Sequence, residues 1–373
     1  MSITVTEYFK ATDETGTPEE NASQALASAA PVYWRNVQTA LLLAGVLLVG
    51  LLLFRPALGL VIMWDILIPI APALIVVAPG LWRNVCPMAT VSLLPRRLGL
   101  SRGKIPTRRW TGLMGLASIS ALLLIVPLRH ISLNTNGPMT ALMLALAAGI
   151  AVAMGILFEW RSGWCTSLCP IHPVEKLYGF SPAITVRNAR CDSCRKCTAP
   201  CPDSTRSMTS VITGPSRLDR WVGHALTGGF AGFILGWYQL PDYQGQIGAT
   251  EIIASYLWPF GCAATALAVY AAARKWLCRS KPARIMLVKV FATAAVSTYY
   301  WFRIPALGGF GPHPGTGLLY DLTGVLPEWT PWISQALTTL FFIWFLIFRK
   351  SPNASWMIRP RFWSEGLASS GRT

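Results

Sequence analysis

The chain has 373 residues, 53% of them hydrophobic and 13% charged. That is about half the charged fraction of a soluble domain, which excludes an ordinary water-soluble enzyme and points to a membrane. A net charge of +16 invites a nucleic-acid partner, but the placement of the basic residues accounts for it without one.

Residues 1–36 read as an N-terminal tail, polar and acidic over 1–30 and without a signal-peptide pattern. Apolar runs of spanning length follow, near 37–54, 58–80, 111–128, 139–158, 222–240, 250–273, 285–302 and 331–348. The expectation is an all-α polytopic membrane protein of about eight transmembrane helices. Residues 37–158 hold the first four and 222–348 the last four. Residues 159–221 form a loop segment between them, and 349–373 a C-terminal tail.

Of 32 lysines and arginines, 28 fall in the two tails and the loops 81–110, 159–221 and 274–284. Arg55, Arg129 and Arg303 fall on the other face, and Lys289 lies inside the seventh span. The positive-inside rule then places both termini and every cysteine-rich loop in the cytoplasm. Membrane lipid is the expected partner, with anionic head groups favoured by the basic loops.

The loop 159–221 contains Cys191-Asp-Ser-Cys194-Arg-Lys-Cys197-Thr-Ala-Pro-Cys201-Pro202. This C-x2-C-x2-C-x3-C-P run has the ligand spacing of a bacterial ferredoxin loop for a [4Fe-4S] cluster. Zinc is the rival, but zinc ribbons separate their C-x2-C pairs by a longer loop. The expected insertion is therefore a small cytoplasmic ferredoxin-like segment, with Cys191, Cys194, Cys197 and Cys201 holding the cubane. Two more Cys-Pro steps close membrane helices: Trp82-Arg-Asn-Val-Cys86-Pro87 and Trp164-Cys165-Thr-Ser-Leu-Cys169-Pro170. Segments 58–110 and 139–180 thus look like a degenerate repeat of a helix plus C-x3-C-P, with Trp82 standing where Cys165 stands in the second copy.

W-C-x2-L-C-P after a membrane helix, followed by C-x2-C-x2-C-x3-C-P, resembles the polyferredoxin-like membrane proteins. These include the quinol-oxidising membrane subunit of periplasmic nitrate reductase systems and the membrane half of the nitrous oxide reductase accessory protein. The resemblance covers about 58–205. It implies electron transfer at the cytoplasmic side of a bacterial inner membrane, between quinol or a soluble carrier and a partner redox subunit. This chain departs from the pattern in lacking the first cysteine of one C-x3-C-P and in having a single ferredoxin loop.

In two-cluster ferredoxins the fourth cysteine of a run serves the other cluster. Two cubanes need eight ligands, and the motifs here provide seven. Cys86, Cys165 and Cys169 form the candidate second site, with Cys278 or His172 as an eighth ligand. The simpler reading is one cubane on the ferredoxin loop. Cys262, in mid-span, reads as a packing residue.

Asp65 lies about 10 Å into the second span by helix rise. It reads either as a proton acceptor for quinol oxidation or as a carboxylate hydrogen-bonded to a neighbouring helix. The four histidines, His130, His172, His224 and His313, show no pair at matching depth for a b-type haem. No P-loop or dinucleotide fingerprint is present. The alternatives to electron transfer are an accessory role in redox sensing or metalloenzyme maturation, and a transporter with a structural metal clip.

Overall fold

The computed structural model describes residues 18–104, 106–158, 161–190, 217–245, 247–313, 315–350 and 357–358. Among the described residues twelve helical elements follow one another: α1 Pro18–Phe54, α2 Pro56–Val77, α3 Pro79–Val85, α4 Pro87–Arg97, α5 Arg108–Leu128 (continued by a wide turn, Arg129–Leu133), α6 Gly137–Leu157, α7 Arg161–Leu168, α8 His172–Tyr178, α9 Arg217–Trp237, α10 Ala249–Trp276, α11 Lys281–Leu307 and α12 Thr330–Ile343 (continued by a wide turn, Trp344–Phe348). The tail expected over 1–36 is helical from Pro18 and continues without a break into the first span. Strand pairing among the described residues is confined to a two-residue parallel ladder, Val186–Arg187 against Met357–Ile358, and one bridge between Lys104 and Phe158.

Among the described residues seven helices are long and apolar enough to cross a membrane: Tyr33–Phe54, Pro56–Val77, Gly112–Leu133, Gly137–Leu157, Ala249–Trp276, Lys281–Leu307 and Thr330–Phe348. They define a multi-pass membrane protein. Large apolar side chains such as Leu43, Leu47, Leu146, Leu257, Leu337 and Leu340 stand exposed on them, a surface suited to lipid.

The fifth predicted span differs in a way with a physical cause. Residues 222–240 do fall largely in a helix, α9, but it is not among the seven. Its composition is diluted by Gly223, Gly228, Gly229, Gly232 and Gly236. Those glycines face protein rather than lipid. A Cβ on Gly228 would stand 2.7 Å from the Tyr270 ring, one on Gly236 would stand 2.6 Å from the Trp258 carbonyl oxygen, and one on Gly232 would collide with the Cys262 carbonyl. Small residues thus let the α9 and α10 backbones touch. With Phe230, Phe233 and Ile234 buried, α9 is a central helix that needs little lipid-facing hydropathy.

The helices alternate in direction, as contacts at the two ends show. At one end the Trp64 indole donates to the Leu133 carbonyl (2.8 Å), His130 meets Asp242, and Arg303 reaches Asp65. At the other, Ala183 N–H donates to the Val77 carbonyl (2.8 Å), Arg349 donates to the Ser181 carbonyl, and Lys289 sits 5.6 Å over the Phe180 ring.

Candidate functional site

The two Cys-Pro repeats are built alike. Span α2 breaks at Ala78, a short helix α3 runs to Val85, and Cys86 leaves helical geometry (φ −59°, ψ 117°) so that Pro87 opens α4. A residue before proline is steered out of the α region, and proline suits the first turn of the next helix. In the second copy α6 ends at Leu157, and α7 is a wide π-type turn. Its end is marked by Cys169 N–H donating to the Trp164 carbonyl (3.0 Å), and α8 follows Pro170. Ser118 of α5 caps the step by donating to the Cys169 carbonyl (2.7 Å).

A buried charge cluster clamps one copy to the other. Arg83 of α3 pairs with Glu175 of α8 at 2.6 Å, with both side chains 6% exposed. The Trp82 indole donates to the second carboxylate oxygen of Glu175 (2.7 Å), and Arg83 donates to His172 Nδ1 (2.8 Å). Trp82, which occupies the place of a cysteine in the repeat, therefore has a structural partner of its own. Burial, assisted by the Arg83 cation, lowers His172 to about 4, so the ring is neutral near pH 7. Burial also works against an ionised Glu175, but Arg83, His172 and Trp82 together hold its carboxyl below the ordinary range.

A second clamp fixes the segment that leads to the ferredoxin loop. Asn84 donates to the Arg187 carbonyl (2.8 Å) and accepts from Ala189 N–H (3.1 Å). Arg190, 2% exposed, donates to the carbonyls of Arg83 and Cys86 and to the Thr90 hydroxyl. The chain thus reaches its last described residue before Cys191 bound to the backbone of the first Cys-Pro turn. Cys191, Cys194, Cys197 and Cys201 themselves lie outside the described residues.

Cys86, Cys165 and Cys169 come together in one packed cluster with Ala89, Leu93, Met114, Met154 and Trp164. The repeat therefore brings the three thiols of the candidate second site into a single neighbourhood. Burial pushes the Cys86 thiol up, opposed by the amide N–H groups of Ala89 and Met88 and by Arg190. Burial pushes Cys169 higher still, with Glu175 adding to the rise and the Ile171 amide opposing it. The donor chemistry suits a thiolate-bound metal, whose charge would reverse that preference for the protonated thiol. Among the described residues, however, no group of three His, Cys, Asp or Glu side chains is set to hold a metal ion.

The other ligand candidates fall elsewhere. His172 Nδ1 is engaged by Arg83 at 2.8 Å and faces Glu175 at 3.4 Å, so that nitrogen is turned into the clamp. Cys278 is buried in a cavity between α9, α10 and α11, and is not among the residues packed round the three thiols. Cys262 is half-buried, with its carbonyl against Gly232.

At the far end of the bundle Asp65 has the hydrogen-bonded partner that a neighbouring helix was expected to supply. Arg303 of α11 donates to Asp65 (2.5 Å) and to the Trp64 carbonyl (2.8 Å). Arg129 lies 4.2 Å over the Trp64 ring and 4.7 Å over Trp237. His130 meets Asp242 at 2.6 Å and the Trp237 carbonyl at 2.9 Å, and Asn134 donates to Asp242 (2.6 Å). Two of the three cations assigned to this face are thus buried bundle residues rather than solvated ones. The residues that sequence reasoning passed over are Glu175, Asn84, Arg190 and Asp242. The available signal was Glu175, an isolated acid in a basic loop beside a Cys-Pro step.

Fold and site together define a multi-pass helical membrane protein in which Cys86, Cys165 and Cys169 share one packed cluster at one end, with the segment that precedes a C-x2-C-x2-C-x3-C-P run hydrogen-bonded to the first Cys-Pro turn. No family model, curated protein or solved structure matches the chain.

Proposed function

We propose that this is a membrane-bound iron–sulfur electron-transfer protein. Cys191, Cys194, Cys197 and Cys201 would hold a [4Fe-4S] cluster, which supplies a one-electron relay when bound. The relay would run between the quinone pool, or a soluble donor, and a partner redox subunit on the cytoplasmic face. The observation that supports this reading is the anchoring of Arg190. Arg190, the residue before Cys191, is tied to the Cys86 carbonyl and so to the first Cys-Pro turn.

In that reading the chain's own residues do positional work. Arg83, Glu175 and Trp82 hold the two Cys-Pro turns in register. Asn84 and Arg190 set where the loop begins. The apolar shell of Leu93, Met114 and Trp164 keeps water from the thiols, which would bias the potential of a nearby cluster. Cys86, Cys165 and Cys169 are the thiols available to a second cluster.

The test is Cys194→Ala in anaerobically purified protein. Loss of the dithionite-dependent paramagnetic signal, with unchanged folding by circular dichroism, is expected. A variant with wild-type iron and an unchanged signal would remove the basis of the proposal.

A further inference from the structure

Where α9, α10 and α11 meet at the end of the bundle that bears the Cys-Pro turns, a cavity of about 770 Å³ opens. Its polar wall is Arg274, Lys275, Arg279 and Arg284, and among the described residues no carboxylate lines it. Among the described residues none of these four cations stands in an ion pair; Arg284 only donates to the Cys278 carbonyl (3.3 Å). The floor is Tyr270, 2% exposed, hydrogen-bonded to His224 Nδ1 at 2.9 Å. Leu267, Ala271 and the exposed Trp221 add an apolar side, and Trp276 and Leu277 stand 68% and 76% exposed at the end of α10.

Four unpaired cations around one hollow repel each other, and a bound anion would relieve that. Guanidinium groups match the oxygens of a phosphate in geometry as well as charge. The apolar side and the exposed tryptophans place the hollow where membrane spans end, at the level of lipid head groups. From this combination we infer that the cavity is a binding site for an anionic phosphate group, the head of an acidic phospholipid whose chains lie along α10. The site is separate from the thiol cluster and does not rest on the electron-transfer reading. It also gives the buried Cys278 a place, as wall of this cavity.

The experiment uses the full chain, delipidated in detergent, and measures retained lipid by native mass spectrometry and thermal unfolding in mixed micelles. Phosphatidylglycerol should stay bound and raise the unfolding temperature by several degrees over phosphatidylcholine, an effect that added salt weakens. Arg274→Gln with Arg279→Gln should lose both the adduct and the shift. Arg274→Lys with Arg279→Lys should keep them, which separates loss of charge from misfolding. Neutralising Arg102 and Lys104, exposed cations outside the cavity, should change nothing. If inorganic phosphate alone reproduces the shift, the phosphate chemistry stands with the free anion as its source. If neither lipid nor phosphate moves the wild type, or if the glutamine variant keeps the shift, the assignment is overturned.

Discussion

Arg83 and Glu175 decide how the two Cys-Pro turns face each other. Removing one partner of a buried ion pair leaves an uncompensated charge and costs about 3–5 kcal/mol. Glu175→Gln keeps the shape but removes the carboxylate charge that faces Arg83, so its unfolding temperature in detergent should drop markedly, whereas Glu175→Asp should lose less. The same cluster sets a pH dependence. His172 has a folded value of about 4 against an ordinary 6.5, so the unfolded chain takes up the proton first as pH falls. Stability is therefore full above about pH 6.5 and is lost progressively toward pH 4, by up to about 3 kcal/mol. Glu175, held below its ordinary value, adds to that loss at the acid end. Thermal unfolding at pH 7.5 and pH 5 should show the difference, and His172→Gln should flatten the upper part of it. A pH profile unchanged by His172→Gln would show that the ring is not buried beside Arg83.

At the scale of elements, the packing of α9 against α10 depends on backbone contact through glycine. Gly232→Ala sets a methyl group against the Cys262 carbonyl, and a backbone atom cannot swing aside as a flexible side chain can. The helices must separate, at about 1–3 kcal/mol. Gly149→Ala, on the exposed face of α6 with nothing within 4 Å of the new atom, should be neutral or slightly stabilising. Equal unfolding temperatures for the two variants would contradict the packing described for α9. This helix also shows where hydropathy stops being informative. Runs such as 37–54 and 331–348 are legible because lipid contact demands apolar side chains all round. A central helix meets protein instead, so glycine can replace leucine and the signal of α9 weakens although its position does not.

For the molecule as a whole, the order of the membrane-spanning helices and the Cys-Pro repeat were readable in the sequence, because both are local patterns, whereas the count of spans came out one too high. The pairings that hold the bundle ends together were not readable. Asp65 finds Arg303 across 238 residues, His130 finds Asp242, and Trp82 finds Glu175, and no local periodicity encodes such partners. Cys86, Cys165 and Cys169 share one packed cluster, and the anchoring of Arg190 over the Cys86 turn was not readable in the sequence. That anchor holds Arg190 on the backbone of the first Cys-Pro turn. The most direct measurement is iron and acid-labile sulfide per chain in protein purified anaerobically in detergent, with electron paramagnetic resonance before and after dithionite. About four irons and four sulfides with a reducible signal are predicted for one cubane on Cys191, Cys194, Cys197 and Cys201, and about eight would extend the count to the three-thiol pocket. Zinc without sulfide, or no metal at all, would contradict the electron-transfer role.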